Sequence, residues 1–152
     1  MKLIIYSPTH KDALESMLLK FSKEVFGEAM VDIDLFITSH SYIYLAIIQD
    51  EVVGFTSFVI NNYFGLRPHT VGNTYLYVEP EHRRSKSLHL MSIQAGLVAR
   101  DLNMPLEHYV GSNESKLLTK RLNGKELYTT YLYEVDECMR VVESLQKRVK
   151  VK

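Results

Sequence analysis

The sequence predicts a single α/β domain with a mixed sheet over residues 1–152. Segments with the alternation of a strand and segments with helical periodicity follow each other in the order β-α-α-β-β-β-α-β-α-β-α. The length of 152 residues suits one domain. No internal repeat, low-complexity tract or linker divides the chain.

The N-terminal part predicts one strand and two helices. Residues 2–6 form a short apolar run that ends at Ser7-Pro8, and Thr9 is expected to be the N-cap of the first helix. Apolar residues then recur at helical spacing as Leu14, Met17, Leu18 and Phe21. A second, short helix is expected over about residues 33–38.

A hairpin is predicted next. Residues 42–48 and 52–61 are rich in β-branched and aromatic side chains, and Gln49-Asp50-Glu51 between them is a turn signal. Residues 62–72 contain two glycines and a proline and predict a loop. We expect a further strand over residues 74–78.

The strongest helical pattern starts near Leu88 and ends at Asn103 and Pro105. Its apolar stripe consists of Leu88, Met91, Ala95, Val98 and Leu102. The remaining predicted elements are a strand over 108–111, a helix over 113–122 closed by Asn123-Gly124, a strand over 127–135 and a final helix capped by Asp136.

Composition narrows the classes of function. Lys and Arg together number 18, as do Asp and Glu, so net charge gives no general attraction to nucleic acid or membranes. Cys138 is the only cysteine, which excludes an intrachain disulfide. The N-terminal residues lack the apolar core of a signal peptide, and no stretch approaches the length of a membrane span. We therefore expect a cytoplasmic protein without a membrane partner.

Three motifs carry a resemblance that covers nearly the whole chain. Residues 50–54, DEVVG, resemble a turn of the form D-G-x-x-V-G, whose glycine lets a strand pass close to its neighbours. Residues 75–83, YLYVEPEHR, resemble L-x-V-x-P-x-Y-R, and Ser112-Asn113-Glu114 with Asn123-Gly124 resembles S-N-x…L-G-F. In this order and spacing the motifs resemble those of the GNAT superfamily (GCN5-related N-acetyltransferases). The resemblance implies a GNAT-like fold and transfer of an acetyl group from acetyl-CoA to an amine of a small molecule or protein.

The same resemblance implies a pyrophosphate site at the start of the long helix. Family members usually carry R/Q-x-x-G-x-G/A there, whereas Lys86 and Leu88 stand at the glycine positions of this chain. Three cations at a helix start are unfavourable unless they meet an anion, so we expect acetyl-CoA to bind through side chains as well as backbone N–H groups. A solvated basic helix start is the alternative. The expected cofactor-binding residues are Leu76, Tyr77 and Val78 along the strand, Arg83, Arg84, Ser85, Lys86, Ser87 and Leu88 at the helix start, and Asn113.

The chain lacks the family's usual catalytic residues at their customary positions. The customary base positions hold Asn73 and Thr74, and the customary acid position holds Lys120. None of these is the usual Glu or Tyr, so general acid–base catalysis would need substitutes. The catalytic candidates are Glu79, His69 and Tyr131, and the further possibilities are Tyr63 and Tyr133.

The acceptor side of the site is predicted from an acidic run, Glu24, Glu28, Asp32 and Asp34. Tyr63, Asp32 and Asp34 are the expected substrate-binding residues. Carboxylates beside a thioester would attract a cationic amine. The alternative is that these acids only solvate a helix and its connection.

Two other functions stay open on the sequence alone. One is a catalytically silent GNAT-like domain that binds coenzyme A or a partner. The other is a nucleic-acid-associated factor that uses Arg83, Arg84, Lys86 and the basic C-terminal tail, but the formal net charge of zero argues against it. The six histidines show no metal-ligand spacing, so no metal site is expected. Association into a homodimer through the final helix or the late strand is a further expectation.

Overall fold

The computed structural model describes residues 1–62, 69–83 and 85–108, all within one compact unit, Met1–Ser112. The elements in chain order are β1 (Lys2–Ile5), α1 (Lys11–Phe26), α2 (Ile33–Ser39), β2 (Tyr42–Ile48), β3 (Glu51–Asn61), β4 (Thr70–Val78), α3 (Ser85–Asp101) and β5 (Leu106–His108). Short 3-10 turns at Pro8–His10 and Pro80–His82 precede α1 and α3. The helices and strand predicted beyond residue 111 lie outside the described residues, so the single-domain organisation stays a prediction.

The part of the chain that the structure describes forms a sheet of five strands in the order β1-β2-β3-β4-β5. The first four strands pair antiparallel, and β5 pairs parallel to β4 after the crossover through α3. A parallel neighbour requires a crossover of this kind, whereas β2 and β3 need only a tight turn. The α/β class with a mixed sheet is therefore confirmed.

Helices cover the sheet on both faces. On one face, α1 and α2 bury Leu14, Met17, Leu18 and Ile33 against the strand residues Ile43, Leu45, Ile47, Phe55 and Tyr77. On the other, α3 buries Met91, Ala95, Val98 and Ala99 against Phe58, Val71, Ala46, Val53 and Val78. Side chains alternate across a strand, so neighbours such as Tyr77 and Val78 belong to different cores.

The β2–β3 turn has the backbone conformation of a two-residue hairpin loop. Gln49 and Asp50 both have positive φ, 50° and 65°, as a type I′ turn requires. The predicted hairpin is confirmed, and Glu51 belongs to β3 rather than to the turn.

Three predicted boundaries were wrong. Thr9 is not the N-cap of α1, because it lies inside the turn Pro8–His10 and the cap position is His10, whose side chain makes no cap hydrogen bond. β4 begins at Thr70 rather than at residue 74, because Gly72 pairs with Val59 on one side and Glu107 on the other. β5 begins at Leu106, directly after Pro105, whose carbonyl accepts a hydrogen bond from the Val71 N–H.

Candidate functional site

A β-bulge marks the middle of β4. Asn73 pairs with Phe58 and Tyr75 with Ser57, which leaves Thr74 as an extra residue in β4. Such a bulge bends its strand and increases the local twist. In the described part of the chain, β4 pairs with β5 only over Val71–Asn73. We call the rest of β4 from the bulge onward, Thr74–Val78, the β4 arm.

Gly54 allows β3 to lie close to this arm. A Cβ atom at Gly54 would stand 2.4 Å from the Tyr77 carbonyl oxygen and 3.0 Å from the Val78 Cα. No real side chain could fit there without moving β4. The close approach predicted from the glycine is confirmed, and it fixes the backbone of Tyr77 and Val78.

The N-terminus of α3 follows the β4 arm. β4 ends at Val78, the turn Pro80–His82 reverses the chain, and α3 begins at Ser85. The buried hydroxyl of Ser87 donates to the His82 carbonyl oxygen at 2.9 Å, which holds the turn against the helix. Lys86 and Leu88 belong to the first turn of α3. The unpaired N–H groups and the positive dipole end of α3 thus lie next to the β4 arm.

Arg83, predicted as a phosphate ligand, has three partners within the chain. Its Nε donates to the Val78 carbonyl oxygen at 2.6 Å, its guanidinium pairs with Glu24 on α1, and it lies over the Tyr77 ring at 5.4 Å from the centroid. The hydrogen bond to Glu24 is the main cause that raises the pKa of Arg83. The pKa of the Tyr77 hydroxyl is raised mainly by burial. Arg83 therefore joins α1 to the end of β4.

Glu79, predicted as a catalytic group, is joined to α1 in the same way. Its carboxylate forms an ion pair with Lys20, and its side chain is only 12% exposed. The hydrogen bond to Glu79 is the main cause that raises the pKa of Lys20. Lys20 and Glu24 lie four residues apart and therefore on one face of α1, but this spacing gives no signal in the sequence for contacts with residues 59 positions away.

The customary base positions hold groups engaged in hydrogen bonds. Asn73 is 2% exposed, and its Nδ2 donates to the Thr56 Oγ1 at 2.9 Å and to the Ser57 carbonyl oxygen at 3.1 Å. The Thr74 hydroxyl donates to the same carbonyl at 3.2 Å. Neither side chain is a base, and both stabilise the bulge.

The predicted acceptor residues Asp32 and Asp34 also have partners. Asp32 is the N-cap of α2, and its Oδ1 accepts from the Leu35 N–H at 2.9 Å. Asp34 pairs with Lys11 on α1 at 2.6 Å. These contacts stabilise the start of α2 and its packing on α1. Their role in substrate binding stays a prediction.

A group of aromatic rings beside β4 was not predicted. Phe21 and Phe26 from α1, Phe36 from α2, His40 after α2 and Tyr75 on β4 make a continuous series of ring contacts at centroid distances of 4.2–6.1 Å. We call these five residues the aromatic surface. Their sequence separation hides the cluster, because only the fold brings α1, α2 and β4 together.

The remaining predicted residues are placed as follows. His69 is exposed and directly precedes β4. Leu76 is half-buried on the α3 side of the sheet, together with Val78. Tyr63, Arg84, Asn113 and Tyr131 lie outside the described residues. Glu79 and His69 therefore lie at opposite ends of β4 and are not brought together.

Comparison with known proteins identifies the family. The chain matches the family described as Acetyltransferase (GNAT) family over residues 11–86, which is half of its length. The matched segment includes α1, α2, β2–β4 and the first residues of α3. The chain belongs to the GNAT acetyltransferase family. The resemblance deduced from the sequence is confirmed.

Solved structures share the fold at low sequence identity. A possible acetyltransferase from Clostridium difficile 630 has a TM-score of 0.66 and 18% identity, over 88% of this chain and 97% of that one. A predicted acetyltransferase with acetyl-CoA from Clostridium acetobutylicum has a TM-score of 0.69 and 13% identity, over 90% and 97%. AAC(6')-Iy in complex with the bisubstrate analog CoA-S-monomethyl-acetylneamine has a TM-score of 0.66 and 12% identity, over 88% and 96%. No curated protein matches the sequence.

No helix among residues 1–62, 69–83 and 85–108 is long and apolar enough to cross a bilayer.

Proposed function

We propose that this protein transfers an acetyl group from acetyl-CoA directly to an amine. The observation that carries the proposal is the β4 arm, which begins at the bulge at Thr74 and leads through a short turn to the N-terminus of α3. Family membership supports it, and two structural neighbours contain acetyl-CoA or a CoA analog. A cytoplasmic location belongs to the same proposal.

The β4 arm and the start of α3 divide the binding of acetyl-CoA between them. Backbone N–H groups at the start of α3, with Lys86, bind the pyrophosphate, because such a terminus favours an anion. Pantetheine extends from there along Leu76, Tyr77 and Val78 and hydrogen-bonds to the β4 arm like an added strand. Its thioester then lies beside the bulge, near Thr74 and Tyr75. A backbone N–H of β4 polarises the thioester carbonyl.

The chemical step needs both substrates held in line. The amine nitrogen attacks the thioester carbon, the carbon–sulfur bond breaks, and coenzyme A leaves as a thiolate. The attacking nitrogen loses one proton, and the thiolate gains one to become a thiol. Glu79, His69 and Tyr131 remain the proposed groups for these proton transfers. The ion pair between Glu79 and Lys20 favours a positioning role for Glu79.

Isothermal titration with acetyl-CoA tests the binding half of the proposal. We expect Lys86→Ala to weaken binding by about 1–3 kcal/mol, the range for a hydrogen bond to a charged group. Arg100→Ala is the matched control, because it removes one charge near the opposite end of α3, where Arg100 pairs with its neighbour Asp101. Absence of acetyl-CoA binding to the unchanged protein would overturn the proposal.

A catalytically silent domain is the second candidate, and Asn73 favours it. Its amide is committed to Thr56 and Ser57 and cannot accept a proton from the amine. A thiol-release assay with a panel of amines separates the two candidates. Release of coenzyme A with any amine supports the transferase, whereas acetyl-CoA binding without release supports the silent domain.

We also propose that the acceptor is a cationic amine recognised by Tyr63, Asp32 and Asp34, and the same panel of amines tests this. We further propose that the protein is a homodimer, which light scattering at micromolar concentration tests.

A further inference from the structure

Two ion pairs join α1 to the turn between β4 and α3. At the start of this turn, the Glu79 carboxylate pairs with Lys20. At its end, the Arg83 guanidinium pairs with Glu24. Lys20 and Glu24 are four residues apart and therefore lie on one face of α1. The turn that leads to the N-terminus of α3 is thus held at both ends by the same helix.

The contacts of Arg83 lie on the α1 side of the sheet. Its guanidinium lies over the ring of Tyr77, which belongs to the core beneath α1 and α2. Its Nε donates to the Val78 carbonyl oxygen at 2.6 Å, and its Nη2 donates to Glu24. In contrast, α3 packs on the other face of the sheet. These contacts favour a role for Arg83 in fixing the turn over direct contact with a phosphate group.

Hydrogen bonds connect Glu79 to the start of α3. The Glu79 N–H donates to the Val53 carbonyl oxygen on β3, and the Glu79 carbonyl oxygen accepts from the His82 N–H, both at 2.9 Å. The His82 carbonyl oxygen accepts from the buried Ser87 hydroxyl in the first turn of α3. A shift of Glu79 is therefore transmitted to the first N–H groups of α3 through one intervening residue.

The two ion pairs differ in how strongly they hold the turn. The Glu79 side chain is only 12% exposed, so loss of Lys20 leaves a largely buried carboxylate without its cation. Such a group is costly to bury and moves toward water, and the turn moves with it. Glu24 and Arg83 are each more than a third exposed, and Arg83 keeps its hydrogen bond to Val78 if Glu24 is removed. Lys20 therefore holds the turn more strongly than Glu24 does.

We propose that Lys20, acting through Glu79, is a positioning residue for the binding of coenzyme A and its acetyl thioester. The inference rests on the proposed function, which assigns the pyrophosphate to the start of α3. Lys20 holds the turn in the conformation in which the first N–H groups of α3 face the pyrophosphate together. Without this ion pair only a fraction of the molecules has that conformation, and the apparent affinity falls by the same fraction.

Isothermal titration of the whole protein with coenzyme A tests the inference. We expect Lys20→Met and Glu79→Gln each to weaken binding about fivefold, at the lower end of usual coupling energies. The double variant should bind no more weakly than either single variant, because both substitutions remove the same ion pair. Lys23→Met is the matched control, because Lys23 is an exposed cation of α1 that forms no ion pair within the described part of the chain. It should leave the affinity unchanged.

The directions of the two single effects separate positioning from direct attraction. If the Lys20 charge attracted the phosphates directly, Lys20→Met would weaken binding and Glu79→Gln would strengthen it. That result, an unchanged affinity in both variants, or an equal loss in Lys23→Met would overturn the inference and leave the acetyltransferase proposal intact. Glu79→Gln alone carries the test if Lys20→Met does not fold.

The melting temperature of each variant separates positioning from an effect on stability alone. Titrations are made well below the lowest melting temperature, where a variant that is only less stable is still folded and binds as the unchanged protein does. A weaker affinity under these conditions supports the positioning role. Absence of coenzyme A and acetyl-CoA binding to the unchanged protein would overturn the acetyltransferase proposal and this inference with it.

Discussion

At the scale of single residues, Arg83 shows that a cation near a predicted phosphate site can also hold the fold together. Its hydrogen bond to the Val78 carbonyl and its contact with the Tyr77 ring join the β4–α3 connection to the sheet. The pair with Glu24 adds little, because both side chains are more than a third exposed and water screens them.

We therefore predict that Arg83→Ala lowers the free energy of unfolding by about 1–2 kcal/mol, mostly through the lost hydrogen bond to Val78. Arg100→Ala should change it by less than about 0.5 kcal/mol, because Arg100 is exposed and pairs only with its neighbour. Urea denaturation of both variants measures the difference. Equal stability of the two variants would show that the Arg83 contacts contribute nothing. An effect of Arg83→Ala on acetyl-CoA binding must be judged after this structural effect is known.

His40 gives a second prediction at this scale, from pH. Burial lowers the pKa of His40 below its usual value, and the hydrogen bond with Phe36 only partly opposes this effect. Tyr75 is the titratable side chain that faces it from β4, and no charged group contributes to the shift. The neutral form is therefore favoured in the folded state. Folding stability from this residue is present above about pH 6.5, the unfolded pKa, and is lost as pH falls through the lower folded value.

The measurement is the melting temperature between pH 7.5 and pH 5 for the unchanged protein and for His40→Asn. Asn can donate to the Phe36 carbonyl but does not titrate. We expect the unchanged protein to lose more stability at acidic pH than His40→Asn does. Parallel curves for the two proteins would contradict the assignment.

At the scale of elements, two glycines provide a matched test of the packing of β3 on β4. Gly54→Ala places a Cβ atom 2.4 Å from the Tyr77 carbonyl oxygen, so we expect a loss of about 1–3 kcal/mol of stability. Gly96→Ala on α3 meets no atom within 4 Å and should gain about 0.5–1 kcal/mol from helix propensity. Thermal or urea unfolding measures whether Gly54→Ala lowers the stability and Gly96→Ala raises it. A neutral Gly54→Ala would mean that β4 is not held at this distance.

The elements that were predicted well from the sequence are those that depend on local interactions. The bounds of β2 and β3 were predicted to within one residue. The turn at Gln49 and Asp50 and the alternation of the strands depend on residues that are consecutive in the sequence. The start of β4 was placed four residues late, because a glycine such as Gly72 weakens a strand by propensity and only pairing on both sides overrides it.

The site was harder to predict because its contacts are distant along the chain. The ion pairs of Glu79 with Lys20 and of Arg83 with Glu24 each span 59 residues. The sequence did indicate the glycine that brings β3 close to β4 and the position of the helix start. It could not show that Arg83 and Glu79 both have partners on α1, nor that His40 contacts Tyr75.

At the scale of the whole molecule, the sheet order has a consequence for how the chain folds. The five described strands all pair in chain order, and β2 and β3 are joined by only two residues, so the association of β2 with β3 costs little loop-closure entropy. β1 pairs with β2 across α1 and α2, and β5 pairs with β4 across α3, so these two strands close longer loops.

We expect the transition state for folding to contain the β2–β3 hairpin and to lack the pairing of β1. Ile43→Val in β2 should slow refolding, whereas Ile4→Val in β1 should mainly speed unfolding, and each should cost about 0.5–1.5 kcal/mol at equilibrium. Stopped-flow refolding and unfolding in urea give the two rate constants for each variant. A slower refolding rate for Ile4→Val with unchanged unfolding would place β1 in the nucleus instead. With β1 outside the nucleus, a chain that has formed only its central hairpin exposes an unpaired edge of β2, and this edge is where association of incompletely folded molecules would begin.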